Sequence, residues 1–183
     1  MNKIVYYVAI SLDGFISGED GDVSGFTAQG KGVQQYLNDL KKFETVIMGR
    51  KTYEFAYDFG LKPGAPPYPH MQHYIFSKKL VFDSAEDNVH VVSDFNLEEI
   101  KKIKGSSKTD IYLCGGGQFA GWLLDNEKID ILKLKINPLI LGTGTKMFGE
   151  SKKSYQLKLV DTANYEDGLI ISSYMINYEQ NES

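Results

Sequence analysis

The stretch Val46-Ile47-Met48-Gly49-Arg50-Lys51-Thr52-Tyr53 joins a short apolar run to a glycine, a cation and a hydroxyl. The apolar run predicts a buried strand, and Gly49 would let the backbone come close to a ligand. Thr52 and Tyr53 open a helix predicted for residues 51–59, whose free N–H groups would attract negative charge. This stretch therefore predicts a strand that ends in an anion-binding turn.

A second stretch, Ile111-Tyr112-Leu113-Cys114-Gly115-Gly116-Gly117-Gln118, repeats this order of apolar strand, glycine and helix start. Gly115, Gly116 and Gly117 have no side chains, so a pyrophosphate could lie against backbone N–H groups at the start of the helix. A tight turn without a ligand needs only two glycines, so the third favours binding. The G-x-G-x-x-G pattern of a Rossmann site is absent. Two such turns could hold the two ends of one long phosphate-bearing ligand.

The pattern of apolar residues predicts alternating strands and helices, followed by strands alone. Strands are predicted over residues 4–10, 45–48, 73–76, 89–92, 110–114, 131–136, 155–160 and 169–176. Helices are predicted over residues 32–43, 51–59 and 96–104 and after the triple glycine. The expected fold is a single α/β domain over residues 1–183, with a mixed, mainly parallel β-sheet, helices on both faces and a C-terminal antiparallel β-hairpin.

Turn and cap signals refine this prediction. Asn96 should cap the helix 96–104, with Glu99 three residues later and Gly105 at its end. Glu166-Asp167-Gly168 predicts a tight turn between the last two strands. The segment 13–32, with six glycines, is expected to be a long loop.

Composition excludes several classes of protein. The chain has 183 residues, 42% of them hydrophobic, and its formal net charge of −4 argues against a nucleic-acid partner. Without a signal-peptide core or an apolar run of about 20 residues, the sequence predicts a cytoplasmic protein with no membrane partner. Cys114, the only cysteine, is expected to be a small buried side chain. His70 and His73 have no further ligands at a convincing spacing, so no metal site is predicted.

Five short motifs follow one another over nearly the whole chain. They are Ser11-Leu12-Asp13-Gly14, the turn 48–53, Ile75-Phe76-Ser77, the triple glycine and Asn137-Pro138-Leu139-Ile140-Leu141-Gly142-Thr143-Gly144. In this order they resemble the dihydrofolate reductase-like superfamily, most closely the branch related to the C-terminal reductase domain of bacterial riboflavin-biosynthesis proteins. The resemblance implies a dihydrofolate reductase-like domain that binds NADPH and passes a hydride to a small heterocycle or related acceptor. It also implies that the loop 13–32 lies over the nicotinamide.

The residue types and the resemblance together predict a set of cofactor-binding residues. Arg50 is the first candidate, because a guanidinium beside a helix start can hold the 2′-phosphate that distinguishes NADPH from NADH. Its alternative is a surface salt bridge. Ser77 and Lys78 stand where the family places further phosphate contacts, although Ser-Lys-Lys is also an ordinary strand exit. The full predicted set is Ala9, Gly49, Arg50, Lys51, Thr52, Ser77, Lys78, Gly115, Gly116, Gly117 and Gln118.

The proton donor is the weak point of the resemblance. Dihydrofolate reductases have a carboxylate on the helix before the Gly-Arg turn, but the matching positions 33–35 are not acidic. The arginine that holds the folate tail in those enzymes is matched by about Met71. Asp13 is the best remaining catalytic acid, with turn capping as its alternative role. Both departures point away from folate as a substrate.

The sequence thus predicts an NADPH-dependent reductase of a small, heteroaromatic, pterin- or pyrimidine-like acceptor. A narrower alternative is reduction of the ribosylaminopyrimidine in riboflavin synthesis, although no deaminase domain accompanies the sequence. A different class of alternative is a protein that binds NADP(H) without turnover. Exposed strand edges and the habit of the family make a homodimer a further expectation.

Overall fold

The chain folds into one large sheet with helices on both sides. The computed structural model describes residues 2–179, so Met1 and residues 180–183 of the predicted domain lie outside the described part. Its strands are β1 (Ile4–Ile10), β2 (Phe15–Ser17), β3 (Thr45–Gly49), β4 (Gln72–Phe76), β5 (Val89–Val92), β6 (Ile111–Gly115), β7 (Ile131–Ile136), β8 (Thr145–Lys146), β9 (Gln156–Asn164) and β10 (Ile170–Asn177). Its α-helices are α1 (Lys31–Leu40), α2 (Arg50–Phe55), α3 (Leu97–Ser106) and α4 (Gly117–Asp125).

Eight strands form the main sheet in the order β5-β4-β3-β6-β1-β7-β10-β9. The first six are parallel, whereas β10 is antiparallel to β7 and β9 is antiparallel to β10. This mixed sheet, with its antiparallel hairpin at the C-terminal edge, confirms the predicted fold class. Strand β1 lies in the interior of the sheet, as its nearly continuous apolar sequence predicts.

Two apolar cores cover the two faces of the sheet. Successive side chains of a strand point to opposite faces, so Tyr6 of β1 belongs to one core and Tyr7 to the other. Helices α3 and α4 pack on the first face through side chains such as Ile100 and Phe119. Helices α1 and α2 pack on the second face through side chains such as Val33 and Tyr53. The helices therefore cover both faces, as predicted.

Several local signals are confirmed, and some boundaries differ. The Asn96 side chain accepts a hydrogen bond from Glu99 N at 2.9 Å, which is the predicted N-cap. Gly168 has a φ of 81° in the predicted tight turn. Gly105, however, lies inside α3, which continues to Ser106 and is closed by Ser107. Helix α2 ends earlier than predicted, at Phe55, and a 3₁₀ turn follows it.

The predicted long loop 13–32 contains a strand that the sequence analysis missed. Phe15–Ser17 forms β2, which pairs with the two-residue strand β8 at Thr145–Lys146. The sequence pattern does not indicate β2, because a strand of three residues is too short to show alternation and its partner β8 lies far along the chain. In the part of the chain that the structure describes, no helix is both long and apolar enough to cross a membrane.

Candidate active site

A cavity of about 1130 Å³ opens at the carboxyl ends of the parallel strands β1, β3, β4 and β6. This is where ligands bind in open α/β sheets. Pockets for one small ligand measure roughly 300–1,000 Å³, so this cavity could hold a larger ligand or a ligand pair. All the predicted cofactor-binding residues line it: Ala9, Gly49, Arg50, Lys51, Thr52, Ser77, Lys78, Gly115, Gly116, Gly117 and Gln118.

The two glycine turns meet in this cavity because β6 is inserted beside β3. Met48 of β3 is paired with Gly115 of β6, so both turns leave the sheet at the same level. The turns come close enough that a Cβ atom on Gly116 would lie 2.9 Å from Thr52 Oγ1. Helices α2 and α4 begin after Gly49 and Gly116, and neither glycine can supply a side-chain cap. Their first N–H groups are therefore left for another acceptor.

The three consecutive glycines have different roles. Gly115 has a φ of 119°, a conformation that side-chain-bearing residues rarely adopt. A Cβ atom on Gly117 would lie 2.2 Å from Lys146 O, so this position must be glycine for the β8 segment to pack against α4. The third glycine of the run was predicted to favour ligand binding. The packing against the Lys146 backbone explains that glycine without a ligand, whereas a Cβ atom on Gly116 would meet a side-chain atom, Thr52 Oγ1.

Arg50 forms the salt bridge that was the alternative to its predicted phosphate-binding role. Its Nη1 atom lies 2.6 Å from Glu54 Oε2, one helical turn later, and its side chain is 39% exposed. The Arg50 side chain thus forms a partly exposed salt bridge, as in the alternative interpretation, and it also lines the cavity. A guanidinium has five N–H donors, so one contact with Glu54 leaves donors for an anion.

Strand β4, which pairs with β3, is followed by further cations that line the same cavity. Gly49 pairs with Phe76, so the residues that follow β3 and β4 enter the cavity side by side. Ser77 is buried, and its Oγ accepts hydrogen bonds from Lys79 N at 3.2 Å and Leu80 N at 2.9 Å. Its oxygen mainly shapes its own turn, which leaves only the hydroxyl proton for a ligand. Lys79, which the sequence analysis did not select, also lines the cavity.

The structure does not bring Asp13 into the cavity. Its carboxylate accepts hydrogen bonds from Leu141 N at 3.1 Å and Gly142 N at 2.7 Å. Hydrogen bonds, first from the Ser11 side chain and then from Gly142 N, lower the pKa of Asp13 to about 2. A carboxylate held in this form has no proton to donate, so the geometry favours the capping role and argues against the catalytic one. The capped turn is the distant segment at Leu141, not the predicted turn at residues 12–14.

The loop that contains Asp13 is also held further along. Thr27 N donates a hydrogen bond to Asn137 Oδ1 at 3.0 Å, and Lys135 Nζ donates one to Thr27 O at 2.7 Å. Asn137 is fully buried, and its amide nitrogen donates to Ile10 O at 3.0 Å. These bonds fix the end of the loop to β1 and β7, beside the cavity.

Three phenols and one thiol that line the cavity were not predicted as binding residues, although Cys114 was predicted to be buried. Tyr36, Tyr68, Tyr112 and Cys114 all line the cavity, and we call them the phenol–thiol cluster. The Tyr36 and Tyr112 hydroxyls are 3.0 Å apart, and the Tyr68 hydroxyl lies 3.5 Å from Cys114 Sγ. Tyr36 was counted as part of the apolar stripe of α1, which hid its hydroxyl. It follows the non-acidic positions 33–35 by one residue.

Burial keeps this cluster uncharged. Desolvation raises the pKa of Tyr36, Tyr68 and Tyr112 above that of a free phenol, and it raises the pKa of the Cys114 thiol. The Cys114 side chain is partly accessible to solvent, so the prediction of a buried side chain holds only in part. Because its pKa is raised, it is a neutral thiol and not a reactive thiolate. The cavity therefore has a cationic part, at the residues that follow β3 and β4, and a neutral polar part, at the phenol–thiol cluster.

Comparison with known proteins matches the chain to one family over most of its length. Residues 2–171 match the family model described as the RibD C-terminal domain. Protein YyaP of Bacillus subtilis (strain 168), itself uncharacterized, is 28% identical over 182 residues, which cover 96% of this chain and 95% of YyaP.

Solved structures share the fold. A protein from Shewanella sp. PV-4, described provisionally as a riboflavin biosynthesis protein, superposes with a TM-score of 0.81 at 22% identity. The match covers 97% of this chain and 99% of that one. Dihydrofolate reductase from Enterococcus faecalis, complexed with NADP(H), has a TM-score of 0.67 at 19% identity and covers 96% of each chain.

Proposed function

Because the chain belongs to the RibD C-terminal domain family, we propose that it is an NADPH-dependent reductase that passes a hydride to a small heteroaromatic acceptor. The observation that carries this proposal is the meeting, in one cavity, of both glycine turns and the four cations that follow β3 and β4. Those cations are Arg50, Lys51, Lys78 and Lys79. They match the phosphate charges of a dinucleotide, and the uncapped N–H groups after Gly116 match its pyrophosphate.

The residues divide the work of holding the cofactor. Arg50 would pair with the 2′-phosphate, because a guanidinium binds phosphate through directed N–H donors. The backbone N–H groups after Gly116 would receive the pyrophosphate, and Ala9 would lie against the nicotinamide end. When bound, NADPH supplies the hydride. A small-molecule ligand also fits the net charge of −4 better than a nucleic acid does.

Replacing Arg50 with alanine tests the proposal. A ligand at about a hundred times its dissociation constant stabilises a protein by roughly 2.7 kcal/mol, which for this size is a melting shift of about 5 to 10 °C. We expect this shift for the unchanged protein with NADPH. Arg50→Ala should weaken NADPH by about 1.5 to 3 kcal/mol and hardly change NADH, because only NADPH has the 2′-phosphate. Thermal melting and calorimetric titration measure both effects.

Glu54→Gln is the matched control. It removes the salt bridge to Arg50 but keeps the guanidinium, so NADPH binding should persist or become tighter. Equal losses of NADPH and NADH in Arg50→Ala would assign Arg50 a structural role. If the unchanged protein shows no shift with millimolar NADPH, NADP⁺ or NADH, the proposed function is wrong.

Two alternative hypotheses remain, one narrower and one from a different class. The family supports reduction of the ribosylaminopyrimidine of riboflavin synthesis as a second candidate. A protein that binds NADP(H) without turnover is the third, and it predicts cofactor binding with no NADPH oxidation across a broad panel of acceptors. Cytoplasmic location stays a prediction of the sequence.

We also propose that two copies pair through β9. Strand β9 is an edge strand of the main sheet, and all but one of its nine residues are exposed. Leu159 and Val160 are large hydrophobic side chains that are 53% and 56% exposed. Lys158 and Asp161 pair with Met175 and Ser173 of β10, so both lie on the same face. A two-fold axis between Leu159 and Val160 would place Lys158 of each copy opposite Asp161 of the other.

Charge exchange tests this dimer. Lys158→Asp and Asp161→Lys should each weaken the dimer about tenfold, because like charges opposite one another across strands are destabilising and each pair occurs twice. The double variant restores opposite charges and should restore the dimer. Sedimentation equilibrium measures all three. A monomeric unchanged protein, or a double variant no better than the single ones, would contradict pairing through β9.

A further inference from the structure

The phenol–thiol cluster has unused hydrogen-bonding capacity. The Tyr36 and Tyr112 hydroxyls are 3.0 Å apart and share one hydrogen between them, so one O–H of the pair is left over. Tyr68 lies with its ring against Tyr112, 5.7 Å between centroids in an edge-to-face contact. Inside the cluster the left-over O–H donor has only the weak acceptor Cys114 Sγ. Since these side chains line the cavity, a ligand could replace the thiol as its acceptor and could also donate to the hydroxyl lone pairs.

Aromatic packing and a backbone hydrogen bond fix the positions of the tyrosines in the cluster. The Tyr36 ring packs edge-to-face on Tyr7, with centroids 4.7 Å apart, and the Tyr112 ring packs on Phe43 at 5.7 Å. Tyr68 N donates a hydrogen bond to His73 Nε2 at 3.2 Å. Burial lowers the pKa of His73 to about 4, so this nitrogen is an unprotonated acceptor at neutral pH. A preorganised set of hydroxyls of this kind can fix the orientation of a ligand.

The cations of the cavity lie elsewhere. Arg50, Lys51, Lys78 and Lys79 follow β3 and β4, on the segments assigned above to the cofactor phosphates. Lys146, an exposed residue of β8, is the remaining cation among the described lining residues, and it lies on a different element from the cluster. A charged group at the phenol–thiol cluster would thus be desolvated without an ionic partner, which is unfavourable.

We propose that the phenol–thiol cluster is the subsite for the acceptor and that it selects an uncharged, planar ring without a phosphate. Tyr36 and Tyr112 would hydrogen-bond the ring carbonyl and ring nitrogen atoms, and Tyr68 would pack against the ring. This inference rests on the proposed function, whose cofactor would occupy the rest of the cavity. It disfavours the ribosylaminopyrimidine phosphate, the second candidate above, as the natural acceptor.

Binding of matched ring compounds tests the subsite. The probes are a pterin and a 5,6-diaminouracil without phosphate, and the same diaminouracil with a ribose 5-phosphate. Calorimetry on the protein saturated with NADP⁺ should show both neutral rings binding, and the phosphorylated compound binding at least tenfold more weakly. Tyr36→Phe should weaken the neutral rings about tenfold, the effect of one lost hydrogen bond, while the melting shift with NADPH stays unchanged. Tyr74→Phe, on β4 with its ring stacked on His90, is the control.

The outcomes separate the two proposals. Neutral rings that fail to bind at millimolar concentration, or a phosphorylated ring that binds as tightly as the neutral ones, would overturn the subsite even where NADPH binds. An equal loss of the NADPH shift in Tyr36→Phe would assign the cluster to the cofactor or to the fold. Cys114→Ser, which keeps a polar atom beside Tyr68, provides a second variant if Tyr36→Phe melts much earlier than the unchanged protein. Ring binding without any NADPH shift would support the subsite and refute the cofactor.

Discussion

Replacing Gly116 with valine should lower the affinity for NADPH and NADH alike by more than about 100-fold, since the lost contacts to the pyrophosphate are charge-assisted hydrogen bonds of roughly 1.5–3 kcal/mol each. Gly116 is the N-cap of α4 and lies at the meeting point of the two glycine turns. A branched side chain there would fill the space in front of the first N–H groups of the helix. Both cofactors have the pyrophosphate, so both should be lost together, in contrast to Arg50→Ala.

The design must separate occlusion of the ligand from damage to the fold. A Cβ atom on Gly116 would lie only 2.9 Å from Thr52 Oγ1, so the double variant Gly116→Val with Thr52→Ala relieves that contact. Gly105→Val is the matched control, because a Cβ atom on Gly105 of α3 meets nothing within 4 Å. Gly117 is unsuitable, since any side chain there collides with the Lys146 backbone.

Calorimetric titration with each cofactor measures the loss, and thermal melting without ligand shows whether the variants are folded. If Thr52→Ala binds both cofactors and the double variant melts like it but binds neither, the glycine turn is the pyrophosphate site. Cofactor binding retained in a folded Gly116→Val protein would show that the glycines only make the turn.

Dihydrofolate should not be reduced at a useful rate, and this is the second large effect. General acid–base help by a positioned group is worth about 10² to 10⁴ in rate, and α1 provides no such acid in the cavity. Its one carboxylate near the sheet, Asp39, is buried in contacts with Lys133 Nζ and Lys42 Nζ, both at 2.7 Å, and does not line the cavity. Asp20, in a 3₁₀ turn, and Glu150, in a surface turn, line the cavity but are exposed, so both are poorly suited to fixing a proton donor.

A second loss concerns the folate tail. Met71, the position matched to the tail-binding arginine, is 1% exposed and belongs to the core under α1 and α2. Without a bidentate partner for the folate carboxylate, binding is weaker by about 1.5 to 3 kcal/mol, which lowers the affinity roughly ten- to hundredfold. The assay is NADPH oxidation with dihydrofolate, with an acceptor that binds the phenol–thiol cluster as the positive control. Turnover above about 1 per second would contradict the prediction and mean that another group donates the proton.

Local patterns were enough to predict most of the elements. The continuous apolar run 4–10 predicts a buried central strand, and the Asn96 cap and the Gly168 turn are set by neighbouring residues in the chain. Both glycine turns were visible because strand, glycine and helix start follow directly in sequence. The Asn96 cap and the Gly168 turn each depend on a short stretch of the chain, so the sequence determines them by itself, whereas the helix end predicted at Gly105 was wrong.

The tertiary structure decided which of these residues meet and what each does. Gly117 is explained by packing on Lys146, and Asp13 by hydrogen bonds to a turn 129 residues away at Gly142. Tyr36 and Tyr112, separated by 76 residues, become one polar pair only when α1 packs on β6. A tyrosine on an apolar stripe contributes like a hydrophobic residue to any periodic pattern. Its hydroxyl acquires a role only from partners that chain folding brings within hydrogen-bonding distance, and no local pattern encodes those partners.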